Sequence, residues 1–461
     1  MAIDKLLHPL RSTAPLIVYI DVKSPYAYLA IEPTIGLAEE LGINIDWRLF
    51  VLDIQSYLGS AKLGKTGEVV ASNRTSEQWS GVKYAYFDCR RYANLSGMTI
   101  RGTEKIWDTQ LPAIGLLWLR QWADPQMSVR YIRALFEPFW RRALDVEELA
   151  VIERLLVAVG APVEGFAEFA AGQGRAQNDQ LQAAAFDAGI FGVPTYVLDE
   201  EIFFGREHLP MIRARLSSAT APMVGVDVAY ELPPAPQLPA IGQGAHTAPA
   251  AVRELEVAID FSSPSSLLAL APTLRLAQEF DLRLRWLPTS GGGLRRPAEV
   301  DPTEDRGQAH RRLRAAARAR YLALYAAMNL PEPVTDLFVD VDPQLANAGL
   351  LWATRRAVTQ QTKGEDAVHG YVQAVFNRVW FEQGSIQTVV EIDALLKELG
   401  VQGFAEFWHT EGEQALSANR LALSQRGLIS APTYFFADQP FVGREHLPLL
   451  RALLGALQVS D

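Results

Sequence analysis

The sequence predicts an α/β protein made of two tandem copies of one domain. The hexapeptide GREHLP occurs at residues 205–210 and again at residues 443–448. Each half of the chain also opens with an apolar run of strand length that is followed directly by a helical pattern. A six-residue identity with two charges and a proline is not expected by chance. It indicates either a duplicated domain or a short motif that was retained twice for the same function.

Further matches between the two halves recur at a nearly constant spacing. Residues 19–47 resemble residues 258–286 at a shift of 239, and residues 131–140 resemble residues 371–380 at a shift of 240. The segment GFAEF recurs at a shift of 238, which is also the spacing of the two hexapeptides. An offset that stays constant over almost the whole length indicates a tandem duplication.

The predicted domain boundaries follow from this duplication and from a proline-rich stretch between the copies. A chain of 461 residues is longer than one ordinary core supports, which favours two or three domains. We predict a first domain over residues 1–216, a linker over residues 217–253 and a second domain over residues 254–461. The linker has prolines among small residues, which disfavours regular elements, although VGVDVAYEL within it has the pattern of a short strand.

The order of elements in the first copy predicts a thioredoxin-like fold with a helical insertion. The run at residues 15–22 is typical of a buried strand, and the helical pattern after it ends at Gly42. A second strand is predicted at residues 44–50, a mostly helical middle at about residues 66–182, and a strand with a turn at residues 199–201 before the closing helix. The order βαβ, helices, ββα is that of a thioredoxin-like domain with a helical subdomain inserted in its middle.

Composition and charge argue against several functional classes. The net charge of −10 disfavours nucleic acid as a partner, because phosphate binding needs a concentrated basic face. The basic run at residues 306–321 is interpreted as a helix with a solvated arginine face. The single cysteine, Cys89, permits no intrachain disulfide, and no apolar stretch has the length of a signal peptide or membrane span, so a cytoplasmic protein without a membrane partner is expected. His208 and His446 are isolated, so no metal site is predicted.

Ser24 is the first candidate for chemistry. It lies where the first strand meets the first helix, beside unpaired backbone N–H groups and the positive end of the helix dipole, so an anion is stabilised there. Thioredoxin-like oxidoreductases place Cys-x-x-Cys at this point. Ser24 and Ala27 stand there in this chain, and Ser263 and Ser266 in the second copy, so protein dithiol exchange is excluded. A serine hydroxyl can donate a hydrogen bond to the thiolate of a cofactor, or it can serve simply as the N-cap of the helix.

The second candidate is the Val193–Pro194 pair. In a thioredoxin-like domain the proline before the third strand is usually cis and faces the N-terminus of the first helix. Ala431–Pro432 holds the same place in the second copy. The backbone of Val193 is thereby exposed and can pair with a peptide-like ligand as an added strand.

Taken together, these motifs resemble those of a known family. The segments DVKSPYAYLA, FGVPTYVLDEEIFFGREHL and VKYAYFDCRRYANLSG are similar to those of the 2-hydroxychromene-2-carboxylate isomerases. These enzymes are relatives of the kappa-class glutathione transferases within the DsbA-like superfamily. The resemblance covers residues 15–216 and, more weakly, residues 254–457. It implies two tandem DsbA-like domains, each with an inserted helical subdomain.

The resemblance assigns glutathione-binding roles in the first copy. Ser24 matches the serine that hydrogen-bonds the glutathione sulfur, and Val193, next to Pro194, matches the residue whose backbone pairs with the cysteinyl part. The γ-glutamyl end is held in that family by a segment that matches Gly205, Arg206 and Glu207. Relatives often carry a small polar residue followed by Asp there. In this chain Glu207 would pair with the γ-glutamyl ammonium and Arg206 with its carboxylate.

A helix of the first copy supplies candidate substrate contacts. The candidates are Tyr26, Lys83, Tyr84, Asp88 and Arg91. Lys83, Asp88 and Arg91 share roughly one helix face, so they either bind a substrate carboxylate or form an intrahelical salt-bridge set. The second-copy equivalents of the site residues are Ser263, Pro432, Arg444 and Glu445.

The second copy departs further from the family pattern. The region that matches Lys83 and Asp88 has lost both the lysine and the aspartate, and Tyr26 has become Ser265. The first copy is therefore expected to hold the activity. The resemblance to these isomerases implies a dimeric arrangement, so the second copy is expected to pack against the first as a pseudo-dimer.

The function implied by the resemblance is glutathione-dependent isomerisation. A glutathione thiolate stabilised by Ser24 would add reversibly to a small aromatic or conjugated carboxylate and allow rotation about its former double bond. Two alternatives stay open. One is a kappa-like glutathione transferase, and the other is a non-catalytic thioredoxin-fold protein that binds a ligand along the Val193–Pro194 edge.

Overall fold

The protein is described here by a computed structural model that covers residues 7–63, 69–122, 124–217, 223–239, 254–360 and 363–458. By its internal contacts the chain divides into two compact units. Unit 1 comprises Met1–Ala221, Glu231–Gln237 and Ala298–Ala317, and unit 2 comprises Pro222–Tyr230, Leu238–Pro297 and Arg318–Asp461. Each unit thus contains most of one sequence repeat together with short segments from elsewhere in the chain.

Unit 1 begins with the βαβ arrangement that the sequence predicts and continues into helices. Its elements are β1 (Leu16–Ile20), α1 (Pro25–Leu41), β2 (Ile45–Leu49), α2 (Ile54–Leu58), β3 (Ala61–Leu63), β4 (Val69–Ser72), α3 (Ser76–Leu95), α4 (Gln110–Leu119), α5 (Pro125–Trp140), α6 (Leu149–Ala158), α7 (Phe166–Ala171), α8 (Gln173–Asp187), β5 (Thr195–Leu198), β6 (Glu201–Phe204) and α9 (Leu209–Ser217). Gly42 ends α1 in the left-handed region at φ 63°, as expected for a C-cap. The pairing of β3 with β4 was not predicted, and the helical middle accordingly begins only at Ser76.

Unit 2 repeats the order βαβ, helices, ββα, without a counterpart of the β3–β4 hairpin among its described residues. Its elements are β7 (Glu254–Ile259), α10 (Pro264–Phe280), β8 (Arg283–Pro288), α12 (Gln344–Gln360), α13 (Lys363–Trp380), α14 (Val389–Glu398), α15 (Phe404–Phe407), α16 (Glu413–Gln425), β9 (Thr433–Phe436), β10 (Gln439–Val442) and α17 (Leu447–Gln458). The remaining helix, α11 (Arg306–Asn329), begins within the segment Ala298–Ala317 of unit 1.

Each unit has a four-stranded mixed sheet of the same topology. The strand order is β2-β1-β5-β6 in unit 1 and β8-β7-β9-β10 in unit 2. The first two strands along the chain pair in parallel, and the last two form an antiparallel hairpin. The predicted turn between β5 and β6 has two residues at positive φ, Asp199 at 51° and Glu200 at 65°, which is the backbone of a tight two-residue hairpin. The thioredoxin-like arrangement predicted from the sequence is confirmed in both copies.

Matching interior contacts show how closely the two copies correspond. The Thr34 hydroxyl lies 3.0 Å from the buried Tyr196 hydroxyl in unit 1, and Thr273 lies 2.8 Å from Tyr434 in unit 2. These buried hydroxyls partner each other across the helix–sheet interface, which avoids the cost of an unpaired polar group in the core. The duplication therefore preserved this buried polar contact in both copies.

The described part of the predicted linker, residues 223–239, contains no helix or strand. The strand expected from VGVDVAYEL does not form there. Its backbone is used in other contacts, since the amide of Tyr230 donates to the carbonyl of Glu445 at 2.8 Å. Among the described helices, none is long and apolar enough to cross a membrane.

Candidate active site

Ser24 occupies the N-cap of α1, as the sequence indicates. Its hydroxyl oxygen accepts a hydrogen bond from the Ala27 amide at 3.2 Å, and its backbone is extended at φ −96° and ψ 116°. The hydroxyl also donates toward the carbonyl of Val193 at 3.5 Å. That contact is long for an O–H donor, for which about 2.7 Å is usual, so a better acceptor can replace it. Ser24 is therefore both a helix cap and a hydrogen-bond donor that a ligand can use.

The structure brings the two sequence candidates together. The Val193–Pro194 peptide is cis, as expected, and the matching Ala431–Pro432 peptide of the second copy is cis as well. Ser24 and Val193 line the same cleft of unit 1, which has a volume of about 650 Å³. That volume lies in the range typical of small-molecule sites.

Lys23 adds a cation beside Ser24. Its ammonium group lies 3.5 Å from the carboxylate of Asp21 and donates to the carbonyl of Trp107 at 3.2 Å. Asp21 is fully buried and also accepts from the Leu52 amide at 2.8 Å. This buried pair anchors the loop between β1 and α1, so the position of Ser24 is fixed by its neighbours rather than left to the loop.

The walls of the cleft are aromatic and cationic. The aromatic side chains along it include Tyr57, Trp79, Tyr86, Trp107 and Phe191. Among the described residues, its six cationic side chains are Lys23, Arg74, Lys83, Arg90, Lys105 and Arg314, against a single acidic one, Glu104. In a chain of net charge −10, this concentration of positive charge is a local feature that favours an anionic ligand.

The predicted substrate residues on and near α3 separate into two groups. Tyr26 and Lys83 line the cleft, whereas Tyr84, Asp88 and Arg91 are not among its lining residues. Asp88 is buried and forms an ion pair with Arg91 at 3.1 Å, one helical turn away. Asp88 and Arg91 therefore form the intrahelical salt bridge, which was one of the two interpretations of the sequence. Of the three charged candidates, Lys83 alone lines the cleft.

The burial of Asp88 has an electrostatic consequence. Desolvation raises the pKa of Asp88 to about 6, although the nearby guanidinium groups of Arg91 and Arg206 oppose the shift. Tyr26 and Cys89 lie near Asp88, and desolvation raises the pKa of both groups well above the ordinary range. Cys89 is thus a protonated interior thiol, which agrees with its interpretation as a packing residue.

The segment Gly205 to Glu207 forms the corner between β6 and α9. The Gly205 amide donates to the carbonyl of Pro194 at 2.9 Å, and the Gly443 amide makes the same bond to Pro432. Gly205 has a φ of 113°, and a Cβ at this position would collide with the carboxylate of Glu207, which folds back over it. Gly443 and Glu445 repeat this arrangement. The doubled hexapeptide therefore builds the same corner in both copies and ties it to the cis-proline loop.

Arg206 lies away from the cleft. Its side chain is 4% exposed, and its guanidinium group stacks over the ring of Tyr92 at 4.4 Å. Neither Arg206 nor Glu207 is among the residues that line the cleft. This position favours a packing role for Arg206 over the predicted contact with a γ-glutamyl carboxylate, because the guanidinium group is already committed to the interior.

Several cleft residues were missed by the sequence reasoning. Arg74, Arg90 and Lys105 reach the cleft from the strand–helix region around α3 and the loop after it, and no motif marks them. His310 and Arg314 reach it from α11. The signal for the last two was present in the basic run at residues 306–321, which the sequence reasoning interpreted as a solvated helix face.

The corresponding serine of the second copy is covered by a glycine loop. Ser263 is 0% exposed, against 6% for Ser24. A Cβ at Gly292 would lie 3.2 Å from the Cβ of Ser263 and 3.3 Å from its Oγ, so the Gly292 backbone lies directly over the hydroxyl. The Gly292 amide donates to the carboxylate of Asp260 at 2.6 Å, which holds the loop in place. The pocket of about 260 Å³ beside this loop is lined by Gly291 and Gly292 but not by Ser263.

The second-copy corner is also occupied. The guanidinium group of Arg444 forms an ion pair with Asp227 at 2.8 Å and is buried. The imidazole of His446 packs against the ring of Tyr230 at 5.0 Å. Protein side chains thus already occupy the surroundings of Arg444 and Glu445 in unit 2.

Comparison with known proteins places both halves of the chain in one family. The sequence model of the DSBA-like thioredoxin domain matches residues 15–217 and 254–455. The 2-hydroxychromene-2-carboxylate isomerase of Pseudomonas putida is 26% identical over 201 residues, which are 43% of this chain and 92% of that protein. The enzyme of the same name from Sphingobium xenophagum is 24% identical over 214 residues, which are 43% of this chain and 95% of that protein.

A structure of a 2-hydroxychromene-2-carboxylate isomerase covers 44% of this chain and 94% of its own length, with a TM-score of 0.35 and 20% identity. The two isomerases from Pseudomonas putida and Sphingobium xenophagum each match 43% of the chain, which is about the share of one repeat. Because the family model matches most of both halves, the chain belongs to the DSBA-like thioredoxin domain family, as a tandem duplication of that domain.

Proposed function

We propose that the chain is a glutathione-dependent isomerase of small aromatic or conjugated carboxylates, with its active site in unit 1. The observation that carries the proposal is that Ser24, Val193 and Lys83 all line one aromatic, cationic cleft. The similarity to 2-hydroxychromene-2-carboxylate isomerases supports the reaction class.

The residues present fit the cysteinyl part of glutathione. The Val193 backbone, next to the cis peptide with Pro194, offers hydrogen-bonding groups to a peptide-like ligand, and the Ser24 hydroxyl lies 3.5 Å from the Val193 carbonyl, so one ligand can reach both groups. Bound glutathione would supply a thiolate that adds reversibly to a conjugated double bond and so permits rotation about it. The γ-glutamyl end would be held by groups other than Arg206, since that side chain is buried against Tyr92.

Three groups of the protein stabilise negative charge at the thiol position. The Ser24 hydroxyl donates a hydrogen bond, the N-terminus of α1 contributes the positive end of the helix dipole, and Lys23, although paired with Asp21, lies next to Ser24 in the cleft. Serine serves here as a donor and not as a nucleophile, because no histidine or carboxylate base accepts its proton in the described structure. Charge stabilisation of this type favours the thiolate over the thiol at neutral pH.

The substrate would bind against the cleft walls. Trp79, Trp107 and Phe191 offer flat apolar surfaces for an aromatic ring, and Lys83 offers a cation for the carboxylate. These contacts would orient the double bond toward Ser24 and shield it from water. Dithiol exchange is not part of this proposal, since Cys89 is the single cysteine and is buried.

The second copy is proposed to be catalytically inactive. Gly292 covers the Ser263 hydroxyl, and Ser262 stands where the first copy has Lys23. A pseudo-dimeric pairing of the repeats and a cytoplasmic location stay predictions from the sequence.

The direct test is an isomerisation assay of the full chain with 2-hydroxychromene-2-carboxylate, followed by absorbance with and without added glutathione. We expect turnover that requires glutathione and leaves the glutathione concentration unchanged, because the thiol is released in every cycle. Consumption of glutathione with formation of a stable conjugate would instead identify a transferase. Turnover at the same rate without glutathione would contradict the proposal.

A further inference from the structure

The first turns of α11 form part of unit 1 and pack closely against α2. A Cβ at Gly307 would collide with the backbone carbonyl oxygen of Ser56, so the helix approaches α2 as closely as a backbone can. Arg306 forms an ion pair with Asp53 at 3.4 Å, and its guanidinium group lies 4.0 Å from the ring centroid of Phe186. This segment is therefore built into the unit through Arg306, Gly307 and His310, while Arg311, Arg314 and Arg318 stay exposed, as the sequence indicated.

His310 continues the contact toward the cleft. Its ring stacks on Tyr57 with centroids 3.8 Å apart and an interplanar angle of 3°, and it meets the edge of Phe191 at 5.6 Å. Burial, and then the arginines around it, lower the pKa of His310 to about 4, so the ring is neutral near pH 7. His310 thus fixes the helix against the cleft wall without adding a positive charge of its own.

Arg314 lies one helical turn beyond His310, on the same face of α11, and lines the cleft. Most of the other cleft cations are already engaged. Lys23 pairs with Asp21 and Lys105 with Glu147, while Arg74 donates to the Leu58 carbonyl and Arg90 to the Ile100 carbonyl.

Within the part of the chain that the structure describes, Lys83 and Arg314 are the two cleft cations without a hydrogen bond or ion pair to protein. Their charges are therefore available to a ligand. A guanidinium group can grip a carboxylate through two parallel hydrogen bonds, which a single ammonium group cannot do.

We propose that Arg314 is a substrate-binding and specificity-determining residue that, together with Lys83, recognises the carboxylate of the ligand. This inference builds on the proposed function, since it names the group that selects carboxylates in the same cleft. It assigns part of the active site of the first repeat to a helix that belongs, in sequence, to the second repeat. A single-repeat relative has no equivalent of this segment from a second copy in its own chain.

The test measures binding of cinnamate, an aromatic carboxylate, and of cinnamyl alcohol, its uncharged counterpart, by tryptophan fluorescence of the full chain at pH 7.5 without glutathione. Wild-type protein is expected to bind cinnamate, and Arg314→Gln to weaken that binding by about tenfold or more while leaving cinnamyl alcohol binding unchanged. Arg314→Lys should recover part of the loss, because lysine restores the positive charge but not the two parallel hydrogen bonds of a guanidinium group.

Arg311→Gln is the matched control. It removes the same charge from the same helix, but Arg311 is exposed and is not among the cleft residues, so cinnamate binding should stay within twofold of wild type. The proposal is overturned if wild-type protein does not bind cinnamate, if Arg314→Gln binds it as tightly as wild type, or if the two glutamine variants lose affinity equally. Because no turnover is measured, a chain without isomerase activity that still shows the Arg314 dependence would refute the proposed function and uphold this inference.

Discussion

Replacing Ser24 with alanine is expected to lower kcat/KM for glutathione-dependent isomerisation by about 10²- to 10³-fold, the loss seen when one donor to a developing anion is removed. The reason is geometric, since the Ser24 hydroxyl caps α1 and reaches the Val193 carbonyl only at 3.5 Å, which leaves it free to bond a thiolate. The measurement is steady-state kinetics with glutathione varied, together with a thermal melt. The variant also loses an N-cap, so a small fall in stability, about 1 kcal/mol, is expected.

Ser263→Ala is the matched control that the duplication provides. It removes the equivalent hydroxyl from the N-cap position of α10, where Gly292 covers it and no hydrogen bond of its side chain is present in the described structure. Turnover should stay within twofold of wild type. Equal losses in the two variants, or a larger loss for Ser263→Ala, would show that the assignment of the active copy is wrong.

Replacing Gly205 with alanine is expected to destabilise the protein by about 2–4 kcal/mol. Gly205 combines a φ of 113°, which side chains rarely tolerate, with a position where a Cβ would collide with the carboxylate of Glu207. The amide of Gly205 also bonds the Pro194 carbonyl, so a shift of this corner would reach the loop beside Ser24. Thermal and denaturant unfolding measure the loss, and glutathione binding should weaken along with stability.

Gly36→Ala tests whether this loss is specific to the corner. Gly36 lies on an exposed face inside α1, and no heavy atom lies within 4 Å of the position a Cβ would take. Alanine there should stabilise the protein by about 0.5–1 kcal/mol, because glycine is the poorer helix former. Similar destabilisation by both substitutions would mean that the positive φ and the close contact at Gly205 do not explain the loss.

The fold was predictable from the sequence because its signals are local or repeated. Gly42 marks the end of α1, the turn at Asp199 and Glu200 marks the last hairpin, and the constant offset between matching segments reveals the duplication. The β3–β4 hairpin was missed because its strands are short and sit in a region that otherwise reads as helical. The assignment of the segment Ala298–Ala317 to unit 1 also could not be predicted. No local sequence pattern indicates which of two domains the end of a helix packs against.

The candidate site was predictable only where it coincides with a local motif. Ser24 and Val193 were identified because a helix start and a proline loop are visible in sequence, and the structure brings them together. Arg206 was assigned to the ligand by analogy, whereas its burial depends on Tyr92, which is remote in sequence. Arg314 was overlooked because its helix reaches the cleft wall through contacts of His310 with Tyr57 and Phe191, which are both distant in sequence.

The glycine run at residues 291–293 shows the same limit. In sequence it is a weak glycine loop without the lysine of a phosphate-binding motif. In the structure, any side chain at position 292 would come into tight contact with Ser263, so glycine allows the loop to lie close to that serine. The Gly292 amide donates a hydrogen bond to the Asp260 carboxylate, which holds the loop there. This arrangement is the physical reason for expecting one active site in a chain with two homologous domains.

Calorimetric titration of the full chain with glutathione tests that claim most directly. We predict one molecule bound per chain, with the stoichiometry unchanged in Ser263→Ala and the affinity lowered in Ser24→Ala. Two molecules bound per chain, no binding at millimolar glutathione, or a single site that responds to Ser263→Ala and not to Ser24→Ala would contradict it.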